Sequence, residues 1–270
     1  MQILNPGNIL PIYANIQSKM RYRCGCEEFN WAIPVDEGRS LAFQFPVPVG
    51  SIAWYIRIMD WDGNEVYELE VGLSYVESTD GEHAFVTYAG DNTIMNSLEC
   101  GKYYLEIGEG VRGGVTYYTE DFEVMNLTGR KKAYRFDFSH SSDIDGILYQ
   151  TGYTQTFWLL NAVFDKPEIV EPTSTVTDGD SIEVLAFQSV QRRDVLRFPY
   201  FPDYWQGTLH RLRIHDDVRI TKMQTDETWD ISGKGIGLVS DTQDVCFSIG
   251  ALSWIGSTQV YTSCGENYPI

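Results

Sequence analysis

The residues of this chain best suited to moving a proton near neutral pH are its four histidines, His83, His140, His210 and His215. Each stands among strand or turn residues with no signature of a nucleophile partner, so the expectation is a polar surface position. Cysteine offers no stronger lead. Five cysteines at wide spacing do not make a disulfide framework. Cys24 and Cys26 flank one glycine, but no second close pair or nearby histidine completes four zinc ligands. The G-x-S-x-G elbow, the H-E-x-x-H helix and the phosphate-binding G-x-x-x-x-G-K-[ST] loop are all missing. GKGIG, 233–237, has the glycine density of a phosphate cradle but the wrong spacing, and reads as a bend or bulge.

Carboxylates are too plentiful to single out a pair for glycoside hydrolysis, since 38 acidic residues supply many candidates. DWDGN (60–64), DIDG (143–146) and DGD (178–180) have the carboxylate density of calcium loops, yet none carries the spacing or the closing glutamate. They read as strand-reversing turns. Trp54, Trp61, Trp158, Trp205, Trp229 and Trp254 could stack on sugar rings, but tryptophan in a β protein more often fills the core. Neither a catalytic residue, a metal ligand nor a cofactor is expected. A non-enzyme is the reading that follows.

Twenty basic residues against 38 acidic ones leave a formal charge of −18, which opposes binding to nucleic acid. No run approaches the roughly 18 apolar residues of a membrane helix, and the first twenty residues lack the pattern of a secretory signal, so a soluble chain made in the cytoplasm is expected. Against this acidic background RLRIHDDVRIT, 211–221, stands out. Read with a period of two, Leu212, Ile214, Val218 and Ile220 share one strand face and Arg211, Arg213, His215, Asp217 and Arg219 the other. Arg211, Arg213 and Arg219 are the candidate residues for contact with an acidic patch on a neighbouring subunit.

The elements that would carry these residues are mostly strands, because apolar residues alternate far more than they recur at helical spacing. In SIAWYIRIMDWDGNEVYEL (51–69), Ile52, Trp54, Ile56 and Ile58 share a face, Asp62 and Gly63 turn the chain, and Tyr67 and Leu69 return it. Leu41, Phe43 and Phe45 alternate until Pro46 and Pro48. Residues 100–124 predict a hairpin: Tyr103, Leu105 and Ile107 face one way, a glycine-rich turn follows, and the return face shifts by one residue between Tyr117 and Phe122, as a β-bulge would shift it. Residues 1–18 read as an extended arm that frays or lies on a neighbour, and 171–181 as a polar linker. One short helix is expected near FPDYWQGTLH, 201–210. The basic turn after Thr128 marks a domain boundary, giving an arm at 1–18, a β-sandwich at 19–128 and a β-rich assembly domain at 129–270.

CGKYYLEIGEG (100–110) followed by VTYYTEDFEV (115–124) resembles the closing strands of an immunoglobulin-like module in tail proteins of bacteriophages that infect Bacteroidota, crAss-like phages among them. LAFQFPV (41–47), ILYQTGYTQTFWL (147–159), the segment 166–189, the segment 196–221 and Cys264 resemble the order of segments in the same proteins, whereas QRRDVLRF (191–198) and GKGIGLVS (233–240) depart from it. The resemblance implies a mainly β chain, an immunoglobulin-like or fibronectin-like sandwich followed by a second β-rich domain. It implies a virion structural protein of the tail, baseplate or head-to-tail ring, assembled cyclically with copies of itself and other virion proteins. It transfers no catalytic residue. Two rivals follow from the aromatic and acidic content: a glycan-binding module of a receptor-binding apparatus, and a glycan-degrading enzyme.

Overall fold

The chain is mainly β, as the alternation of apolar and polar side chains predicts, with one short α-helix among its described residues. The computed structural model describes residues 3–4, 10–13, 32–37, 42–47, 54–69, 73–77, 84–88, 97–109, 115–144, 146–149, 152–177, 183–202, 205–242, 247–262 and 267–268. His83, Cys24, Cys26, Cys264, Ile52 and the 178–180 turn lie outside these residues.

The first half holds β1 (Ile3–Leu4), β2 (Ile12–Tyr13), β3 (Ile33–Asp36), β4 (Phe43–Val47), β5 (Trp54–Asp60), β6 (Glu65–Leu69), β7 (Leu73–Glu77), β8 (Ala84–Tyr88), β9 (Gly101–Glu109), β10 (Val115–Thr119) and β11 (Phe122–Met125). One layer runs β4-β8-β7. In the other, β9 sits between β5 on one side and β10 and β11 on the other, β6 extends beyond β5, and β3 joins β11 in parallel. With β4, β8 and β7 as strands B, E and D, and β11, β9, β5 and β6 as G, F, C and C′, this is the arrangement of an immunoglobulin-like sandwich. Phe45 of β4 joins the layers, meeting Trp54 of β5 edge-on at 5.4 Å and Tyr117 of β10 at 6.3 Å.

The motif at 100–124 is used for architecture. Tyr103, at the start of β9, donates its hydroxyl hydrogen to the Glu99 carbonyl at 2.8 Å, the corner that immunoglobulin-like folds build where strand F begins. The expected phase change is present: Tyr118 lies opposite Glu106 but Phe122 opposite Tyr103, so one extra residue is accommodated at Glu120 and Asp121. Thr119 repairs the interrupted ladder, its Oγ1 accepting the Leu105 N–H at 2.9 Å. The Asp62–Gly63 hairpin also forms, with Gly63 at φ 83° and the Asp60 carboxylate taken up by the Asn64 N–H at 2.7 Å and the Asn64 amide at 2.9 Å.

Two expectations fail here. Within the supposed N-terminal arm, β1 pairs with β2 and β2 with β10, and Leu10, Ile12 and Tyr13 are fully buried, because the arm's apolar residues complete this chain's own sheet. The supposed polar linker contains a strand at Thr173–Thr177, whose threonines suit a pleated surface as well as a loop.

The second half comprises β12 (Ala133–Ser139), β13 (Gln155–Leu160), β14 (Val163–Phe164), β15 (Glu168–Val170), β16 (Thr173–Thr177), β17 (Glu183–Pro202), α1 (Trp205–Arg211), β18 (Asp217–Lys222), β19 (Thr228–Ile231), β20 (Gly237–Thr242), β21 (Phe247–Thr262) and β22 (Asn267–Tyr268). A four-stranded antiparallel sheet runs β13-β12-β18-β19. A larger one is built on the long pair β17 and β21, flanked by β14, β15 and β16 on one side and β20 and β22 on the other. Phe164 ties the two sheets together, with Tyr134 at 5.4 Å, Trp229 at 4.9 Å and Trp254 at 5.6 Å.

Among the described residues no strand pairs across Thr128. The apolar core nevertheless crosses it, running from Leu10 and Ile56 through Leu127 to Phe136 and Trp254 as one cluster. Replacing Tyr103 with phenylalanine keeps the ring against Phe122 and removes the corner bond. We expect a loss of about 1 kcal/mol of stability, read as a lower urea midpoint at unchanged slope. An unchanged midpoint would show that the corner contributes nothing.

Candidate functional site

The three candidate arginines do not share a strand face. Leu209 and Leu212, both fully buried and three residues apart, place α1 and a one-turn 3-10 helix at Leu212–Ile214 where a continuous strand was expected. Only Asp217–Lys222 is extended. Arg211 is thus half-buried at the end of α1, Arg213 is exposed on the 3-10 turn, and Arg219 alone projects from the outer face of β18. Ile214, assigned to the buried face by alternation, is 45% exposed. His215, expected on the surface, is buried.

Arg219 belongs to a row of polar side chains across the outer face of the four-stranded sheet. Thr156, Asp137, Arg219 and Asp230 lie opposite one another on β13, β12, β18 and β19. Thr156 donates to Asp137 Oδ1 at 2.7 Å, Arg135 Nε to Asp137 Oδ2 at 2.8 Å, and Arg219 Nε to Asp230 Oδ1 at 2.6 Å. The row forms because antiparallel register sets these side chains side by side. Above it opens a groove of about 650 Å³, walled by Asp137, Asp216, Asp217 and Asp230, with Arg219 as its one cationic lining residue.

Two of the wall aspartates, Asp216 and Asp230, are held ionised by local hydrogen bonds. The Asp216 carboxylate accepts the Ser141 N–H at 3.0 Å and its hydroxyl at 2.5 Å, with His140 Nε2 at 3.4 Å. The side-chain and backbone bonds from Ser141 hold its pKa below the ordinary 3.8. Arg219 does the same for Asp230, chiefly through the hydrogen bond, and is itself raised by it. Glycoside hydrolysis needs one carboxyl kept protonated by a raised pKa. Asp216 and Asp230 are shifted the other way.

Below the groove a buried chain of hydrogen bonds fixes His215. Its Nδ1 lies 2.8 Å from the Arg211 carbonyl, which accepts only from N–H, so the proton is assigned there and Nε2 accepts from the Tyr149 hydroxyl at 2.7 Å. Gln155 Nε2 donates to that hydroxyl at 2.6 Å. Phe138 meets the imidazole edge-on at 4.6 Å. The arrangement holds the 3-10 turn against β12 and β13, a structural role for a histidine expected on the polar face of a strand. Burial pushes the neighbouring Tyr153 phenol well above its ordinary pKa, keeping it neutral.

The remaining motifs resolve into turns and core. Gly233–Gly235 is a 3-10 turn, and a side chain at Gly233 would run into the carbonyl oxygens of Leu212 and His215. Among the described residues no group of three metal-ligating side chains converges. Trp158 and Trp254 are buried, Trp54 and Trp229 pack partly against the core, and Trp61 is 52% exposed at the tip of the β5–β6 hairpin. The Lys102 ammonium lies 5.5 Å from its ring.

No protein-family model and no curated protein matches the chain. Among solved structures it is similar to a chain in the crystal structure of Dpr2 Ig1-Ig2 in complex with DIP-Theta Ig1-Ig3, at 7% identity over 89% of this chain and 95% of that one, with a TM-score of 0.16. The assignment of the first half as immunoglobulin-like rests on its strand order and tyrosine corner.

Asp216 gives the site a measurable signature. Its carboxyl should titrate by NMR below 3.8 and return toward that value in Ser141→Ala. Because the folded value is the lower one, the bond's contribution stands above the unfolded pKa and is lost as pH falls through the folded pKa. A midpoint at or above 3.8 in the parent would contradict the geometry.

Proposed function

We propose that this chain is a non-enzymatic structural subunit of a tailed-phage virion, in the tail, baseplate or head-to-tail ring, acting by assembly with copies of itself and with other virion proteins. The observation that supports this most is how the segment resembling phage tail proteins is spent. Tyr103 makes the corner, Tyr117 stacks on Trp54 at 6.0 Å between the layers, and Phe122 and Val124 fill the core. An aromatic-rich segment committed to packing suits a rigid building block. Its net charge of −18 suits a part that lets DNA pass without holding it. Of the arginines expected to meet a neighbour, Arg213 is the exposed one with no carboxylate partner among the described residues, while Arg219 already holds Asp230.

The test is to purify particles of the phage that encodes the chain, identify their proteins by mass spectrometry and locate this one by labelled antibody. The reading expects a fixed copy number at one station of the particle. Absence from particles that carry every other structural protein would overturn it.

One specific feature favours a second reading, a glycan-binding module. Trp61, Val66 and Tyr67 are all more than two-fifths exposed on the same β5–β6 hairpin, large apolar side chains of the kind that contact surfaces present. That reading expects binding to purified capsular polysaccharide, weakened roughly five- to tenfold by Trp61→Ala. A parent protein that does not bind removes it.

A further inference from the structure

The four-stranded sheet of the second half is electrically polarised along its strands. At one end the turn before β12 presents Arg130, Lys131 and Lys132, all exposed. Lys222, at the end of β18, lies opposite Tyr134 in the same corner, and backbone bonds from Gly129 to Met223 and from Met223 to Ala133, each 3.0 Å, lock the turn to it. None of these four cations makes an ion pair among the described residues. Arg130 spends one N–H on the Asn126 carbonyl at 2.8 Å, which aims the guanidinium and leaves most of its donors to solvent. Asp226 and Glu227, exposed in the neighbouring β18–β19 turn, make no ion pair with them either, so the cations are outnumbering acids rather than being neutralised by them.

Arg213, Lys166 and Lys234, the last with a charge that reaches Asp216, are likewise without an ion pair among the described residues, but none of them stands in a run of like charges. Elsewhere Arg57, Arg135, Arg192, Arg193, Arg197 and Arg219 all hold a carboxylate. A chain with nearly twice as many acids as bases nonetheless leaves its densest cationic turn unpaired.

At the other end of the same sheet, where β12 finishes at Ser139 and β18 begins at Asp217, lies the aspartate-walled groove. β12 has seven residues, so the two ends stand roughly 20 Å apart on a hydrogen-bonded scaffold that cannot bend them together. The complementarity can therefore be satisfied only between molecules. A volume of about 650 Å³ admits the ends of lysine and arginine side chains, and Asp217, exposed at its rim, is placed to receive them.

We propose that copies of this chain join head to tail, the Arg130–Lys132 turn with Lys222 of one copy seating in the groove walled by Asp216, Asp217 and Asp230 of the next. The inference rests on the structural-subunit reading and names the contact by which the subunits would meet. Two different patches make a heterologous contact, which propagates into a closed ring or an open fibre instead of stopping at a dimer. The occupant is a second copy because a net charge of −18 repels its own kind everywhere except where such a cationic turn meets an acidic wall.

The experiment is sedimentation of the full chain and two variants at about 10 mM salt, where the Debye length is roughly 30 Å, and at about 1 M, where it is roughly 3 Å. One variant is Arg130→Gln with Lys131→Gln and Lys132→Gln; the other is Asp217→Asn with Asp230→Asn. The parent should form species larger than a dimer in low salt and dissociate in high salt. Each variant alone should stay monomeric. Mixed together they should give a one-to-one pair and nothing larger, since each brings one intact face.

Circular dichroism checks that the variants keep the parent's β spectrum. If either multiple variant misfolds, the exposed single changes Lys131→Gln and Lys132→Gln carry the test, each weakening association about two- to fivefold in low salt. A parent that is monomeric in low salt at high concentration overturns the proposal. So do variants that assemble like the parent, which would place the contact on another face. Neither result touches the virion reading, which is decided separately by whether the chain is found in particles.

Discussion

One apolar core runs unbroken beneath the turn at Thr128, and the rest of the structure depends on it. Strand pairing divides the chain there into two sets of sheets, but hydrophobic burial does not follow that division. Ile33 and Val35 of β3 and Phe157 of β13 belong to the same buried cluster, and β3 packs beside β13. Removing large apolar surfaces from water contributes stability roughly in proportion to area. A core shared by both halves makes that contribution lapse if they separate. The immunoglobulin-like sandwich therefore acts as a fixed base for the sheets of the second half.

Buried polar groups fix how the elements meet, and one of them, Gln44, does so across Thr128. Gln44 is fully buried, and its side-chain amide pairs with the backbone of Leu148 as a strand would, donating to the carbonyl at 3.1 Å and accepting the N–H at 2.8 Å. Asp36, at the end of β3, accepts the Leu127 N–H at 2.8 Å and so directs the chain into the Thr128 turn. Glu120, also fully buried, accepts the Tyr13 hydroxyl at 2.9 Å, while its N–H donates to the Pro11 carbonyl at 2.9 Å. Apolar packing tolerates sliding, but a buried donor left without its acceptor costs about 1–3 kcal/mol. These three residues thereby specify one arrangement among the many that hydrophobic burial alone would accept.

Surface charge has a comparable order. Most arginines on the outer faces of the sheets hold an aspartate or glutamate on the same or an adjacent strand, an arrangement that cross-strand register makes available at little entropic cost. The turn before β12 departs from this pattern. Its cations stand at the opposite end of the sheet from the aspartate-walled groove, and a rigid sheet keeps the two apart within one molecule. The proposed head-to-tail contact draws on that separation.

The mainly β character, the Asp62–Gly63 hairpin, the phase change before Phe122 and the short helix near Trp205 were all legible in the sequence, because period-two alternation, turn chemistry and a break in alternation are local properties. The candidate site was legible only in part. Arg219 does project from a strand, but Arg211 and Arg213 do not, because residues 212–220 satisfy an alternating pattern while Leu209 and Leu212 satisfy a helical one, and tertiary burial chose the helix. Four other features came only from the tertiary structure. They are the burial of Leu10, Ile12 and Tyr13, the enclosure of His215 by Tyr149, the role of Gln44 as a substitute strand, and the gathering of Asp137, Asp216, Asp217 and Asp230 around one groove. Each joins residues distant in the chain, and a local pattern holds no information about which distant partner will complete it.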